Sequence, residues 1–183
     1  QEIYEKLQQL NQLGTVMYLA AHPDDENTRL LSYLVHEKHY RTVYLSLTRG
    51  DGGQNLIGNE LGTELGLIRN YELIAARQID GAEQAFTSVI DFGFSKDPDE
   101  TFKFWDKQRL VDEVKNAIKT YRPDVIICRF PTTGEGGHGQ HTASAIVARE
   151  AFLQLEKEKY PYLAERVLFN AFRFGSRNTT SES

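Results

Sequence analysis

Apolar positions along this chain follow two rhythms. Short continuous runs bounded by polar residues, "VMYLAA" at 16–21, "TVYLSL" at 42–47 and "DVIICRF" at 124–130, predict buried strands. "RVLFNAFRF" at 166–174 predicts a last strand, and "SVIDFGF" at 88–94 a less regular one. Between them apolar residues step by threes and fours, the spacing of one helix face. Leu30, Leu31, Leu34 and Val35 predict a short helix. Leu61, Leu65, Ile68, Ala75, Ile79, Ala82 and Phe86 predict a long one, weakened in its first turn by Gly62 and Gly66. Leu110, Val114, Ile118 and Tyr121 predict a third, stopped by Arg122-Pro123; Ala143, Ile146, Val147, Ala151 and Leu155 predict a fourth. "SKDPDETFKFW", 95–105, reads as a polar loop.

Strands alternating with helices predict an α/β fold: a Rossmann-like three-layer sandwich with a mostly parallel sheet and helices on both faces. Right-handed crossovers deliver every strand's C-terminal end to the same edge, and ligands bind outside those ends. The loops at 22–27, 48–55 and 131–141 all follow strands and are expected to meet there. Residues 1–175 read as one domain, and "RNTTSES" within 176–183 as part of a polar tail or the start of a linker.

Composition narrows the function classes. A net charge of -5 without a long basic block argues against nucleic acid as a partner. No apolar run approaches the ~20 residues of a transmembrane segment. The single cysteine, Cys128, excludes an internal disulfide and any multi-cysteine metal site, and its place in a buried strand marks it as inert core. The chain opens at Gln1 without a methionine, which a cleaved secretory signal and a shortened sequence would both explain; an exported location after signal-peptide removal is the expectation, with a cytoplasmic one as the alternative.

The histidines change the picture most. His36 and His39 fall near a predicted helix end and read as surface residues. His22, His138 and His141 lie in strand-following loops, which the fold brings to one edge together with Asp24 and Asp25. Taken alone, "PDDE" fits the start of a helix, where acids cap and favour the dipole. With histidines converging on it, the same segment fits a metal site. Two histidines and a carboxylate with an open position is a common catalytic zinc arrangement, and imidazole with carboxylate suits zinc better than magnesium. One carboxylate can then bind the ion while the other faces its acidified water. Neighbours on an extended segment point opposite ways, so the two aspartates are not expected to share one task.

"AAHPDDE" after the first strand and "GHGQHTA" after a later one resemble the PIG-L, or LmbE-like, family of zinc-dependent N-acetylglucosaminyl deacetylases. "TRGDGG" at 48–53 is similar to the family's Thr-x-Gly-acidic-x-Gly loop, and "RNYELIAARQIDGA" at 69–82 to its Arg-x-x-Glu helix; the likeness spans roughly 15–155. The resemblance implies one Zn2+ per chain, or another divalent first-row metal, held by His22, Asp25 and His141. It implies Asp24 as general base. His138 would act as an imidazolium that stabilises the oxyanion or protonates the leaving amine. Arg49 and Asp51 become candidates for contacts to substrate hydroxyls.

The expected activity is metal-assisted hydrolysis that removes acetyl from an N-acetylated amino sugar or glycoconjugate, so the expected partner is a small molecule or glycan. A metal amidase on a non-sugar acyl amide and a non-catalytic carbohydrate-binding module are the alternatives. Trp105, Phe102 and Phe104 read as core or lid packing, and Arg69 and Glu72 as a helix-face pair.

Overall fold

The computed structural model describes residues 10–171 together with Ile3, Leu7 and Gln8. The polar tail and the end of the 166–174 run lie outside the described residues.

Five strands form one parallel sheet: β1 (Thr15–Ala20), β2 (Arg41–Ser46), β3 (Glu83–Phe86), β4 (Val125–Cys128) and β5 (Arg166–Phe169), in the order β3-β2-β1-β4-β5. This is the α/β architecture that the alternating pattern predicts. β1 is central, with Val16–Leu19 registered on Val125–Cys128 and Thr15–Ala20 on Arg41–Ser46. Successive side chains serve opposite faces. Met17, Leu19, Leu45, Ile126 and Cys128 pack under helices α4 (Lys107–Tyr121) and α5 (Gly139–Lys157). Tyr18, Ala20 and Tyr44 pack under α1 (Thr28–Ser32) and α2 (Thr63–Asp80), through Leu31 and Leu73. Every residue of β1 is therefore buried, which is why its sequence is one apolar run without alternation.

Three local features depart from the sequence expectation. The long helix does not reach Phe86. It ends at Asp80 because Gly81 adopts φ 75° as a left-handed cap, its N–H donating to Arg77 O at 2.8 Å. After Ala82, "EQAF" forms edge strand β3, and the 88–94 run is a loop bent by the Asp91 carboxylate, which accepts from Gly93 N–H at 2.9 Å. Within the expected polar loop a short helix, α3 (Pro98–Thr101), starts at Asp97, whose side chain accepts from Glu100 N–H at 2.8 Å with Pro98 in the first turn. Finally, α1 runs on as a π-helical turn, Tyr33–Glu37. Among the described residues no helix is long and apolar enough to cross a membrane.

Cys128 sits in β4 at 4% exposure, and burial pushes its thiol up to about 12. The folded protein is therefore expected to resist thiol alkylation at pH 8 and to take up one label per chain in denaturant. Rapid labelling of the native protein would contradict this burial.

Candidate metal centre

The β1–β2 pairing continues past both strand ends. Leu47 and Thr48 N–H groups donate to Ala20 O and Ala21 O, each at 2.9 Å, and the Thr48 hydroxyl donates to Ala21 O at 2.9 Å. The backbone is thus held up to His22. There it folds on itself: His22 N–H donates to Asp25 Oδ2 at 2.7 Å, and Asp25 N–H to His22 O at 3.3 Å. Tyr44, fully buried under this turn, donates its hydroxyl to His22 O. The turn sends the paired acids in opposite directions. The Asp25 side chain is 9% exposed, whereas that of Asp24 is 73% exposed.

His22, Asp25 and His141 come together, with their ligand atoms within 4.8 Å of one another. Asp25 Oδ2 lies 3.3 Å from His22 Nδ1, and Asp25 Oδ1 lies 3.3 Å from His141 Nε2. These separations are long for N–H···O bonds. Two ligand atoms ~2.0–2.1 Å from one zinc ion stand roughly 3.3–3.4 Å apart, and here each histidine has that separation from a different oxygen of Asp25. The far nitrogen of each ring is occupied: His22 Nε2 meets Gln140 Oε1 at 2.9 Å, and His141 Nδ1 meets Gly136 O at 2.9 Å. Such outer bonds fix ring orientation in metal sites. His141 is also stacked on Phe130, with centroids 3.9 Å apart.

Electrostatics follow this packing. Burial pulls the His22 pKa down, but Asp25, with Asp91 and Gln140, outweighs burial, and the net shift is upward. For Asp25, burial raises the pKa while His141 and His22 lower it, leaving it well below the usual carboxylate range. His138 caps α5, its Nδ1 accepting from Gln140 N–H at 3.1 Å. Burial first, then the neighbouring His22 and His141, push its pKa down to about 4. That opposes the imidazolium form expected from the resemblance. With Nδ1 accepting, the ring carries its proton on Nε2.

A cavity of ≈ 410 Å³ opens over this cluster, lined by Asp24, Arg69, Asp91, Phe94 and His138 together with the three clustered side chains. Arg69 does not serve a helix-face pair with Glu72. Its Nη2 lies 3.0 Å from Asp24 Oδ2, and its guanidinium rests on the glycine loop, where a Cβ at Gly50 or Gly53 would collide with it. Arg49 and Asp51 are placed elsewhere. Arg49 donates to Thr87 O at 3.0 Å and lies over the Phe86 ring, pinning the end of β3. The Asp51 carboxylate lies against Gly66 of α2. Neither lines the cavity, because the glycine turn that carries them presents backbone there, at Gly52 and Gly53.

Three contributors escaped the sequence reading: Asp91, Phe94 and Gln140. The 88–94 segment carried a signal, since an aspartate two residues before a glycine suits a turn better than a buried strand. Gln140 lay inside the quoted "HGQH" but has no chemistry of its own that marks it.

The family model for GlcNAc-PI de-N-acetylase, PIG-L, matches residues 17–152. A Bacillus subtilis protein, the probable N-acetyl-alpha-D-glucosaminyl L-malate deacetylase 2, is 28% identical over 151 residues, 80% of this chain and 64% of that protein. Among solved structures, the N,N'-diacetylchitobiose deacetylase of Pyrococcus horikoshii superposes with a TM-score of 0.63 at 16% identity, covering 83% of this chain and 58% of that one. The 4-carboxy-2-hydroxymuconate hydratase GalB of Pseudomonas putida KT2440 superposes with a TM-score of 0.60 at 16% identity, covering 87% and 63%. At such identities these two show a shared fold, and one of them is a hydratase. The chain spans less than two thirds of the length of each of the three. The family match covers most of the chain and every residue of the centre, so the chain belongs to the PIG-L family.

Proposed function

We propose that this chain is a zinc-dependent hydrolase that removes the acetyl group from an N-acetylated amino sugar or a glycoconjugate carrying one. The observation that carries the reading is the division of labour between adjacent acids: Asp25 buried between two histidines, Asp24 exposed in the cavity beside Arg69. Membership of the PIG-L family supports the reaction class, and the donor set of two imidazoles and a carboxylate suits a first-row ion.

His22, Asp25 and His141 would hold the ion. When bound, it supplies Lewis acidity toward the amide carbonyl and acidifies a water molecule. The remaining roles belong to side chains of the cavity. Arg69 holds the Asp24 carboxylate in place through their 3.0 Å contact. Asp24 takes a proton from the attacking water as its oxygen bonds to the carbonyl carbon. His138 Nε2–H donates to the carbonyl oxygen as negative charge develops there. Asp24 then returns the proton to the nitrogen as the C–N bond breaks, leaving acetate and a free amine. Arg69 and Phe94, which line the cavity, would meet the sugar: a cation for hydroxyls and an exposed ring for an apolar face.

The test is acetate release from a panel of N-acetylated sugars and peptidoglycan fragments, in wild type and in Asp24→Asn. Wild type is expected to release acetate from at least one sugar, and the variant to lose about 10²–10⁴-fold in turnover while keeping its metal. Acetate release only from non-sugar amides, or full activity in Asp24→Asn, would sink the proposal.

A further inference from the structure

We infer that Gln140 is a positioning residue: its side-chain amide sets the tautomer of His22 and so leaves Nδ1 as the electron pair that faces Asp25. The inference rests on the proposed metal-holding role of His22, Asp25 and His141 and adds a fourth residue to that centre.

Gln140 is fully buried at the start of α5, and the orientation of its amide is determined by its neighbours. Nε2 donates to Gly93 O at 2.7 Å and to Asp91 Oδ1 at 3.1 Å. A carbonyl oxygen only accepts, so the NH2 group must face Gly93. The flipped amide would set one carbonyl against another and strand its two N–H donors beside His22. Oε1 therefore faces His22 Nε2, at 2.9 Å, and that nitrogen carries the proton. In a neutral imidazole the other nitrogen is then bare. Here it is Nδ1, the atom 3.3 Å from Asp25 Oδ2.

Without Gln140 the preference would reverse. Asp91 Oδ1 lies 4.0 Å from Nε2, beyond hydrogen-bond reach, whereas Asp25 Oδ2 is 3.3 Å from Nδ1, so a neutral His22 would gain most by placing its proton on Nδ1, toward the nearer carboxylate. That tautomer blocks the ligand position. The buried Gln140 carbonyl offers Nε2–H a competing acceptor and removes the option. One residue thereby fixes two rings, because its backbone N–H also holds His138 Nδ1 as an acceptor. The same amide ties the centre to the 88–94 loop, whose Phe94 stands at the cavity rim.

Long-range ¹H–¹⁵N spectra of the metal-free protein, recorded at a pH high enough to keep His22 neutral against its upward shift, read the His22 tautomer, and competition with a chromophoric chelator reads zinc affinity. Neither uses turnover, so a failed acetate assay leaves this inference standing, and the tautomer reads Gln140 even if zinc does not bind. Wild type is expected to show His22 protonated on Nε2. Gln140→Leu, close in size but without polar atoms, is expected to move the proton to Nδ1 and weaken zinc binding by about 10–100-fold. The inference is overturned by an Nδ1–H tautomer in wild type, which needs no variant. An unchanged Nε2–H tautomer in Gln140→Leu would overturn it too, and a loss of zinc affinity without the change of tautomer would mark a packing role.

Discussion

Asp25→Ala is expected to empty the metal centre. Metal content should fall from about one ion per chain to background, and acetate release with it, while the far-ultraviolet spectrum stays that of the folded protein. Asp25 is a carboxylate set between both histidines, with an oxygen 3.3 Å from each. Removing it deletes a ligand and the anion that draws the other two together. His141→Ala should behave alike. A thermal shift separates this outcome from misfolding. A ligand that binds only the native state stabilises it by mass action, so a chelator should lower the melting temperature of wild type and leave Asp25→Ala unchanged. Full metal occupancy in the variant would overturn the assignment.

Arg77→Met is expected to destabilise the fold by about 3–5 kcal/mol, the range for breaking a buried charge network. The Arg77 side chain is 5% exposed and touches two acids. It donates to Asp80 through Nε at 3.1 Å and Nη2 at 2.6 Å, to Glu26 Oε1 at 3.2 Å and to Gln84 Oε1 at 3.1 Å. Its guanidinium also lies over the Tyr44 ring, 5.4 Å from the centroid. Methionine keeps much of the stem but leaves Asp80 and Glu26 buried without their cation. Glu26 has little reserve. Burial already holds its pKa above the usual range against the pull of Arg77, and its Oε2 has no hydrogen-bond partner among the described residues. Urea unfolding measures the loss, and a second change, Asp80→Asn, should recover part of it. A loss below about 1 kcal/mol would show that the network adds little to stability.

The parts of the molecule legible in the sequence are those where one physical demand acts alone. β1, β2 and β4 lie inside the sheet, so their central positions are apolar and the runs stand out. β3 lies on an edge and is only half buried, so "EQAF" carries no such mark, and the helical spacing of Ala82 and Phe86 was a coincidence of adjacent elements. The cluster of His22, Asp25 and His141 was legible because the residues are chemically distinctive and the fold class sends their loops to one edge. Arg69, Asp91 and Gln140 were not, because their roles are relations. Asp24–Arg69 and Gln140–Asp91 join segments 45 and 49 residues apart in sequence, and neither partner's type reveals the other. Arg49 and Asp51 sit on the loop that reaches the site, but it is the backbone at Gly52 and Gly53 that lines the cavity.

The strand order also has a consequence in time. β1, β2 and β3 come from a contiguous stretch, whereas β4 must reach back across more than a hundred residues to pair with β1. Closing so long a loop is slow compared with forming the near pairings, so the first half has the kinetic advantage in collapsing. His22 and Asp25 belong to that half; His141 and Gln140 arrive with β4 and α5. The centre is complete only when the last large piece docks, and a chain arrested halfway through folding holds the motif without the chemistry.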